Sequence, residues 1–159
     1  MKKEKISISI ELAKELYKSA NPEAKKELEV LFGKDALSAP FIERVTNLDD
    51  CYEETNLPKV DKLSDIPEEF HPWLLGLYEG AVVAKAFNGE DRHSMLNPDQ
   101  KRYQAWLRCS PSGFAFYATI YSVSCAGAGD ASRLLFFSAE AAKKAFEISP
   151  DTYEKIANK

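Results

Sequence analysis

The spacing of the apolar residues changes near residue 103, and this change constrains the fold more than any other feature of the sequence. Before that point apolar residues recur every three or four positions, as at Leu12, Leu16 and Ala20, which is typical of amphipathic helices. From Tyr103 to Cys109 the pattern alternates with a period of two, which is typical of a half-buried strand. The sequence therefore predicts an α+β fold, with a helical N-terminal two-thirds packed on a small antiparallel sheet.

Two helices are predicted at the start of the chain. Ser9 is a good N-cap for the first one, although the preceding alternation of isoleucine and serine also fits a short strand. A second helix begins at residues 21–22, with Asn21 as its N-cap and Pro22 as its first helical residue. Gly33 ends the second helix, because glycine tolerates the left-handed conformation there. The face that this second helix buries is expected to consist of Ala24, Leu28 and Leu31.

A third helix is predicted from an N-cap at Asn47 to about Thr55, because Asp50 stands where a capping box places its acidic residue. Residues 57–62 follow as a linker. The most apolar helix comes next: Ser64 or Asp65 is expected to cap its first residues at 67–69, Pro72 to restart or kink it, and residues 88–89 to end it.

Two glycines lie four residues apart on one face of this apolar helix. Gly76 and Gly80 each lower helix stability by about 1 kcal/mol relative to alanine. We expect another element of the same chain to approach closely along this face, since a small residue allows such packing.

The last third of the chain predicts a three-stranded antiparallel meander followed by helix. The strands are expected at residues 103–109, 114–124 and 131–137, separated by a turn at 110–113 and a small-residue loop at 125–130. Ser138 then caps a helix, and Ser149-Pro150 starts a final short one. We expect one domain over residues 1–159: mainly helical over 1–89, a surface loop over 90–102, the meander over 103–137 and helices over 138–159.

The composition excludes a collagen, a wholly disordered chain and a disulfide-dense miniprotein. With 159 residues and 45% apolar side chains, the chain can bury a core without disulfides or metal. Its three cysteines are far apart and form no CxxC pair, which favours a reducing cytoplasm. The sequence predicts neither a secretory signal nor a membrane span, since its longest apolar stretch is short and contains charges.

Charge and aromatic residues are distributed unevenly along the chain. Residues 1–100 carry 13 basic and 20 acidic side chains, whereas residues 101–159 carry 8 and 5. The same last 59 residues contain ten of the 18 aromatic side chains. This asymmetry indicates either a binding face in the C-terminal third or a solvated helical shell around an aromatic core.

Familiar catalytic and metal-binding patterns are weak in this sequence. Two histidines and scattered cysteines do not form a zinc-ligand pattern, so we expect no metal and no cofactor. A nucleophile pair of Cys109 or Cys125 with His93 is conceivable, but cysteine in an alternating strand is more often a small buried hydrophobe.

The adjacent carboxylates at 49–50, 53–54, 68–69 and 90–91 fit helix starts and solvated surface better than acid–base catalysis. The glycine-containing loop at 125–130 lacks the Lys-Ser/Thr of a phosphate-binding loop and lies between predicted strands. It therefore fits a wide hairpin connection better.

A group of basic and aromatic residues in the predicted sheet is the candidate binding site. If the strand faces that carry them coincide and are exposed, bases or a peptide could stack there. The alternative is that the N-terminal helices cover the sheet and these aromatics form its core. The candidate residues are Arg102, Tyr103, Trp106, Arg108, Tyr117, Tyr121 and Arg133, with Lys101 beside them.

Parts of the chain resemble a family of small uncharacterised proteins encoded by phages and prophages of Bacteroides-type gut bacteria. The similar segments are KRYQAW at 101–106, SGF at 112–114, SRLLFFSAEAAKKAF at 132–146 and the opening SISIELAKELYKSANPEAKKEL, and the resemblance around them covers about half of the chain. The loop at 125–130 departs from the glycine-poor link usual in that family. The resemblance implies a mobile-element setting and brings no enzymatic motif.

These observations favour a cytoplasmic, non-enzymatic accessory or interaction module of phage or prophage type. Its partner would be another protein or a second copy of the chain, without membrane or metal. The alternative is a nucleic-acid-binding accessory protein that uses the basic, aromatic sheet. A third hypothesis is a small hydrolase with an unrecognised carboxylate or cysteine site.

Overall fold

The computed structural model describes residues 8–89, 97, 99–110, 113–123 and 134–157. Contacts within the chain form two compact units, Met1–Arg44 and Val45–Lys159. The described residues of the first unit are helical or irregular, and both described strands belong to the second. The fold class is α+β, as the change of apolar spacing predicts. That the whole chain acts as one domain stays a prediction.

The first unit contains the helices Ile10–Ser19 (α1), Pro22–Phe32 (α2), Lys34–Leu37 (α3) and Phe41–Arg44 (α4). Both predicted N-caps are present. The Ser9 hydroxyl accepts a hydrogen bond from the backbone N–H of Leu12 at 3.3 Å, and the Asn21 side chain accepts one from Ala24 at 2.9 Å. Gly33 ends α2 with a φ of 82°, a value that L-residues rarely adopt.

A side-chain hydrogen bond joins α1 to α2 inside the first unit. The Tyr17 hydroxyl donates to the Glu29 carboxylate, and this bond is the main reason that the pKa of Tyr17 is raised. The predicted inner face of α2 is wrong in one position, because Leu31 is 73% exposed. Ala24, Leu28 and Phe32 are half-buried instead, so the inner stripe follows the four-residue spacing.

The second unit contains the helices Leu48–Thr55 (α5), His71–Asn88 (α6), Ala139–Ile148 (α7) and Pro150–Ala157 (α8). Asn47 and Asp50 form the predicted capping box at the start of α5. The Ser138 hydroxyl caps α7 by accepting from Ala141 at 3.0 Å. The cap predicted at Ser64 or Asp65 is wrong. A short 3-10 turn over Glu68–Phe70 precedes α6, which begins at His71 with Pro72 in its first turn, so the restart predicted at Pro72 is confirmed.

Close packing of α8 on α6 confirms the role predicted for the two glycines. A Cβ atom added at Gly76 would lie 2.8 Å from the Cβ of Lys155, and one added at Gly80 would lie 3.1 Å from Leu134 Cδ2. Beside them, the buried Glu79 carboxylate accepts hydrogen bonds from Thr152 at 2.8 Å and from Lys155 at 2.6 Å. The glycines therefore let α8 approach, and Glu79 holds it in place.

The described sheet is an antiparallel hairpin of Arg102–Ser110 (β1) and Gly113–Ser122 (β2). Arg102 was expected to end the loop at 90–102, but it is the first residue of β1. Between Trp106 and Leu107 the partner on β2 changes from Ala118 to Phe116. Tyr117 is therefore the extra residue of a β-bulge.

The predicted third strand, and with it the three-stranded meander over 103–137, is wrong for the residues that the structure describes. Phe136 makes an isolated bridge to Tyr103 of β1, whereas a meander would place it beside β2. The amide of Asn88 donates to the Leu135 carbonyl at 2.7 Å and accepts from the Phe137 N–H at 3.4 Å. Because a side chain from α6 takes these backbone groups, they are not used in a strand ladder.

The described core of the second unit lies between α6, α7, α8 and one face of the hairpin. Phe116 of β2 contacts Phe146 of α7, with ring centroids 5.8 Å apart, and Phe146 contacts Tyr153 of α8 at 5.5 Å. Phe87 of α6 meets Phe136 edge to face at 5.9 Å. These rings cover one face of the hairpin. A binding surface on the hairpin therefore has to use the opposite face or the margin of the covered one.

We expect Gly76→Ala to destabilise the protein, although alanine favours a helix by about 1 kcal/mol. The added methyl group meets the first side-chain carbon of Lys155, which cannot move without moving α8, so we expect a net loss of about 1–2 kcal/mol in urea unfolding. Gly80→Ala is the matched control, since it meets the flexible ends of Leu134 and Ile156 and should change stability by less than about 1 kcal/mol. Equal effects of the two variants would contradict this interpretation.

Candidate functional site

The register of the hairpin divides the candidate residues between its two faces. Residues directly opposite each other share a face, as do residues two apart on one strand. Arg108 pairs with Ala115, and Tyr117 lies two residues beyond Ala115, so Tyr117 shares the face of Arg108 and Trp106. Tyr103 pairs with Tyr121, and Tyr103 is three residues from Trp106. The second pair therefore lies on the opposite face.

The hairpin patch, which we define as Trp106, Arg108 and Tyr117, is open to solvent. Trp106 is 50% exposed and Tyr117 is 57% exposed. The Arg108 guanidinium carbon lies 4.6 Å from the centre of the Tyr117 ring, which is a cation–π distance. Phe116 and its contact with α7 lie on the other face, which leaves this one uncovered by α7. The three side chains form a small aromatic surface with one positive charge.

A second cluster lies on the face that also carries Phe116. The rings of Tyr103 and Tyr121 are 5.7 Å apart, and the Lys101 ammonium lies 4.9 Å from the centre of the Tyr121 ring. Tyr121 is 56% exposed, so this cluster is at the margin of the packed region. The sequence hypothesis of one continuous face is therefore wrong: the structure forms two smaller clusters on opposite faces.

Arg102 has a structural role. Its side chain is 2% exposed, and its guanidinium donates to the backbone carbonyls of Gln100 at 3.2 Å, Asn97 at 2.9 Å and Val123. These bonds join the chain segments that enter and leave the hairpin. Arg102 is therefore not placed to meet a ligand. Arg133, the remaining candidate, lies outside the described residues.

The cysteines differ sharply in their surroundings. Cys51 is fully buried in α5, and burial, assisted by the charges of Asp50 and Glu54, raises its pKa to about 12. Cys109 is exposed on β1, so the expectation that a strand cysteine is a small buried hydrophobe is wrong for this residue. Cys125, His93 and the loop at 125–130 lie outside the described residues, so the nucleophile pair and the loop interpretation stay predictions. A thiol with a raised pKa is a poor nucleophile, and Cys51 therefore fits a packing role.

The adjacent carboxylates at the start of α5 make hydrogen bonds and an ion pair that stabilise the local structure. Asp50 accepts hydrogen bonds from the backbone and hydroxyl of Thr46 at 2.7 and 2.8 Å, and Asp49 pairs with Lys59 at 2.8 Å.

Among the described residues no three His, Cys, Asp or Glu side chains converge as metal ligands would. No described helix combines the length and the apolar character that crossing a bilayer requires.

A small cavity of about 110 Å³ adjoins the sheet, between α6, β1 and α8. Its described lining contains one titratable side chain, Tyr153, whose pKa is raised by burial and by the nearby Cys51. The cavity is smaller than ordinary ligand pockets, which measure roughly 300–1,000 Å³. Acid–base catalysis there would need a second group, so this cavity does not support the hydrolase hypothesis.

Comparison with known proteins gives no relative from which a function could be transferred: no family model, curated protein or solved structure matches the chain. The resemblance to phage-encoded proteins stays a prediction. The chemistry of the described side chains is therefore the basis for a functional assignment.

We expect a thiol-alkylating reagent at pH 8 to modify Cys109 quickly and Cys51 very slowly in a Cys125→Ser background. The shift in the pKa of Cys51 from 9.0 to about 12 lowers its thiolate fraction roughly a thousandfold, and burial adds a steric barrier. Peptide mapping by mass spectrometry measures both rates. Denaturant should make the two rates similar, and fast modification of folded Cys51 would contradict the buried position.

Proposed function

We propose that the protein is a non-enzymatic interaction module, of the accessory type found in phages and prophages, and that it binds a protein partner or a second copy of itself through the hairpin patch. The observation that carries the proposal is the exposure of Trp106 and Tyr117 on one face of the hairpin, with Arg108 stacked on Tyr117. Large aromatic side chains on a surface have a solvation penalty that a partner can remove.

The residue types of the patch are those that contribute most to protein interfaces. Tryptophan, tyrosine and arginine are enriched among the side chains whose removal weakens protein complexes most. The stacking of Arg108 on Tyr117 also restricts both side chains before binding, which lowers the entropy lost on association. The patch contains only three side chains. It is therefore suited to be the centre of a protein interface, and the remaining contacts would come from residues around it.

The outer edge of β2 offers a second means of contact. Within the described sheet β2 pairs only with β1, whereas β1 also makes the Phe136 bridge. An unpaired strand edge can accept an extended segment of another chain by backbone hydrogen bonding. A partner that adds a strand at this edge could also cover Tyr117, which is the bulged residue of β2.

We expect Trp106→Ala and Tyr117→Ala to weaken the interaction while the protein stays folded, because both side chains are half-exposed. Loss of a central interface aromatic lowers affinity by roughly 2 kcal/mol or more, about thirtyfold. Sedimentation equilibrium tests self-association, and a photo-crosslinking amino acid at position 115, which is exposed beside Arg108 and leaves the patch intact, identifies a protein partner in the host. Val30→Ser, at an exposed apolar position of α2, is the control. A monomeric protein without a specific crosslink from position 115 would reject the proposal.

Binding of single-stranded nucleic acid is a second candidate, favoured by the local charge. Residues 100–129 contain no carboxylate, in a chain that has 25 of them, and include Lys101, Arg102 and Arg108. Exposed aromatic rings beside cations are suitable for stacking bases. Against this, Lys101 and Arg108 are associated with rings on opposite faces of the hairpin, and Arg102 is buried.

If nucleic acid binds here, few phosphates can be neutralised on one face. We therefore expect a shallow salt dependence, with the logarithm of the binding constant falling by roughly 0.7 per phosphate contact for each unit of log salt. Fluorescence anisotropy with a labelled oligo-dT measures this slope. Arg108→Gln should lower the slope by about one contact, with Lys59→Gln as the matched control. No binding at low salt would exclude this candidate and leave the protein-interaction proposal intact.

A further inference from the structure

A groove in the second unit has an apolar floor and a charged rim. It measures about 1060 Å³, at the top of the usual range for ligand sites, and lies between the start of α6 and the length of α8. Phe70 and Trp73, both half-exposed, and Ile156 contribute apolar surface to it. Two large aromatic side chains beside an open groove of this size leave room for the apolar side chains of a peptide.

The rim of this groove is acidic. Glu69, Asp151 and Glu154 line it, and all three are exposed. The one lysine among the described lining residues, Lys155, directs its ammonium to the buried Glu79 carboxylate at 2.6 Å. Because that positive charge is already compensated inside the protein, the exposed carboxylates of Glu69 and Asp151 make the field in the groove negative.

Two features of the fold oppose this negative field. The starts of α6 and α8 both border the groove, with Asp151 in the first turn of α8, and a helix start carries about half a positive charge on its free N–H groups. Pro72, in the first turn of α6, has no N–H to contribute. The two full negative charges of Glu69 and Asp151 outweigh these partial positive charges, so the groove favours a cation.

We propose that this groove binds a basic amphipathic segment of a partner protein. Apolar side chains of the segment pack between Trp73 and Ile156, and its lysines or arginines pair with Glu69 and Asp151 at the rim. The two contributions come from separate features, the aromatic floor and the charge of the rim. The groove shares no residue with the hairpin patch, and the proposal does not depend on the function assigned to that patch.

Two synthetic peptides of equal length test the proposal, one made of leucine and lysine and the other of leucine and glutamate. The measurements use a Trp106→Phe background, in which Trp73 is the only tryptophan. We expect the leucine–lysine peptide to shift the Trp73 emission to shorter wavelength in a saturable way, because binding covers the ring. The leucine–glutamate peptide should bind at least roughly tenfold more weakly.

Charge reversal at the rim gives the decisive comparison. Glu69→Lys with Asp151→Lys should weaken binding of the leucine–lysine peptide roughly tenfold. Glu27→Lys with Glu53→Lys changes the net charge equally at exposed positions outside the groove lining and should have little effect. If circular dichroism shows that the rim variant is unfolded, Glu69→Gln with Asp151→Asn replaces it, with a loss of about threefold expected.

Three results would overturn the proposal. They are no binding of the leucine–lysine peptide, equal binding of the two peptides, and equal effects of the rim and control variants. Trp106→Phe changes the hairpin patch but leaves the groove intact. Self-association that is unchanged in that background together with saturable peptide binding would therefore count against the hairpin proposal alone, and weakened self-association without peptide binding would count against the groove alone.

Discussion

The second unit depends on how closely α8 approaches α6. Gly76 leaves no room for a methyl group beside Lys155, so the two helix backbones come near each other and the buried Glu79 can reach both Thr152 and Lys155. Removing one partner of a buried ion pair lowers the stability of the folded protein, because the remaining charge then has neither solvent nor a counter-charge. The contact therefore fixes where α8 lies. It also creates the groove, whose walls are the start of α6 and the residues along α8.

The hairpin shows how one extra residue decides which side chains can act together. Without the bulge at Tyr117, strict alternation along β2 would place Tyr117 and Tyr121 on one face. The bulge changes the alternation, so Tyr117 joins Trp106 and Arg108, and Tyr121 joins Tyr103 on the other face. A broad basic and aromatic surface is thereby reduced to two smaller clusters. This division weakens the case for a nucleic-acid surface and leaves a compact patch suited to a protein interface.

Local signals predicted the helices well because their causes are local. Ser9, Asn21, Asn47 and Ser138 each hydrogen-bond to backbone groups two or three residues later, and these bonds depend on neighbouring sequence alone. The two glycines of α6 were also informative, since glycine in a helix is unfavourable without a packing reason. The third strand could not be judged from local pattern because its partners are distant: Phe136 bridges Tyr103 of β1, and Asn88 bonds to the backbone of residues 135 and 137 from 47 and 49 positions away. The groove was missed for the same reason, since Trp73 and Ile156 are far apart in the chain.

The sequence by itself determined the α+β class, the helix starts capped by Ser9, Asn21, Asn47 and Ser138, and the concentration of aromatic and basic residues in the C-terminal third. These features follow from apolar spacing, capping chemistry and composition, which act over a few residues or over the whole chain. The tertiary structure decided which candidates are exposed. It buried Arg102 among backbone carbonyls, left Trp106 and Tyr117 open, and placed Phe70 and Trp73 beside Ile156. Exposure depends on contacts between distant segments, and no local pattern encodes those contacts.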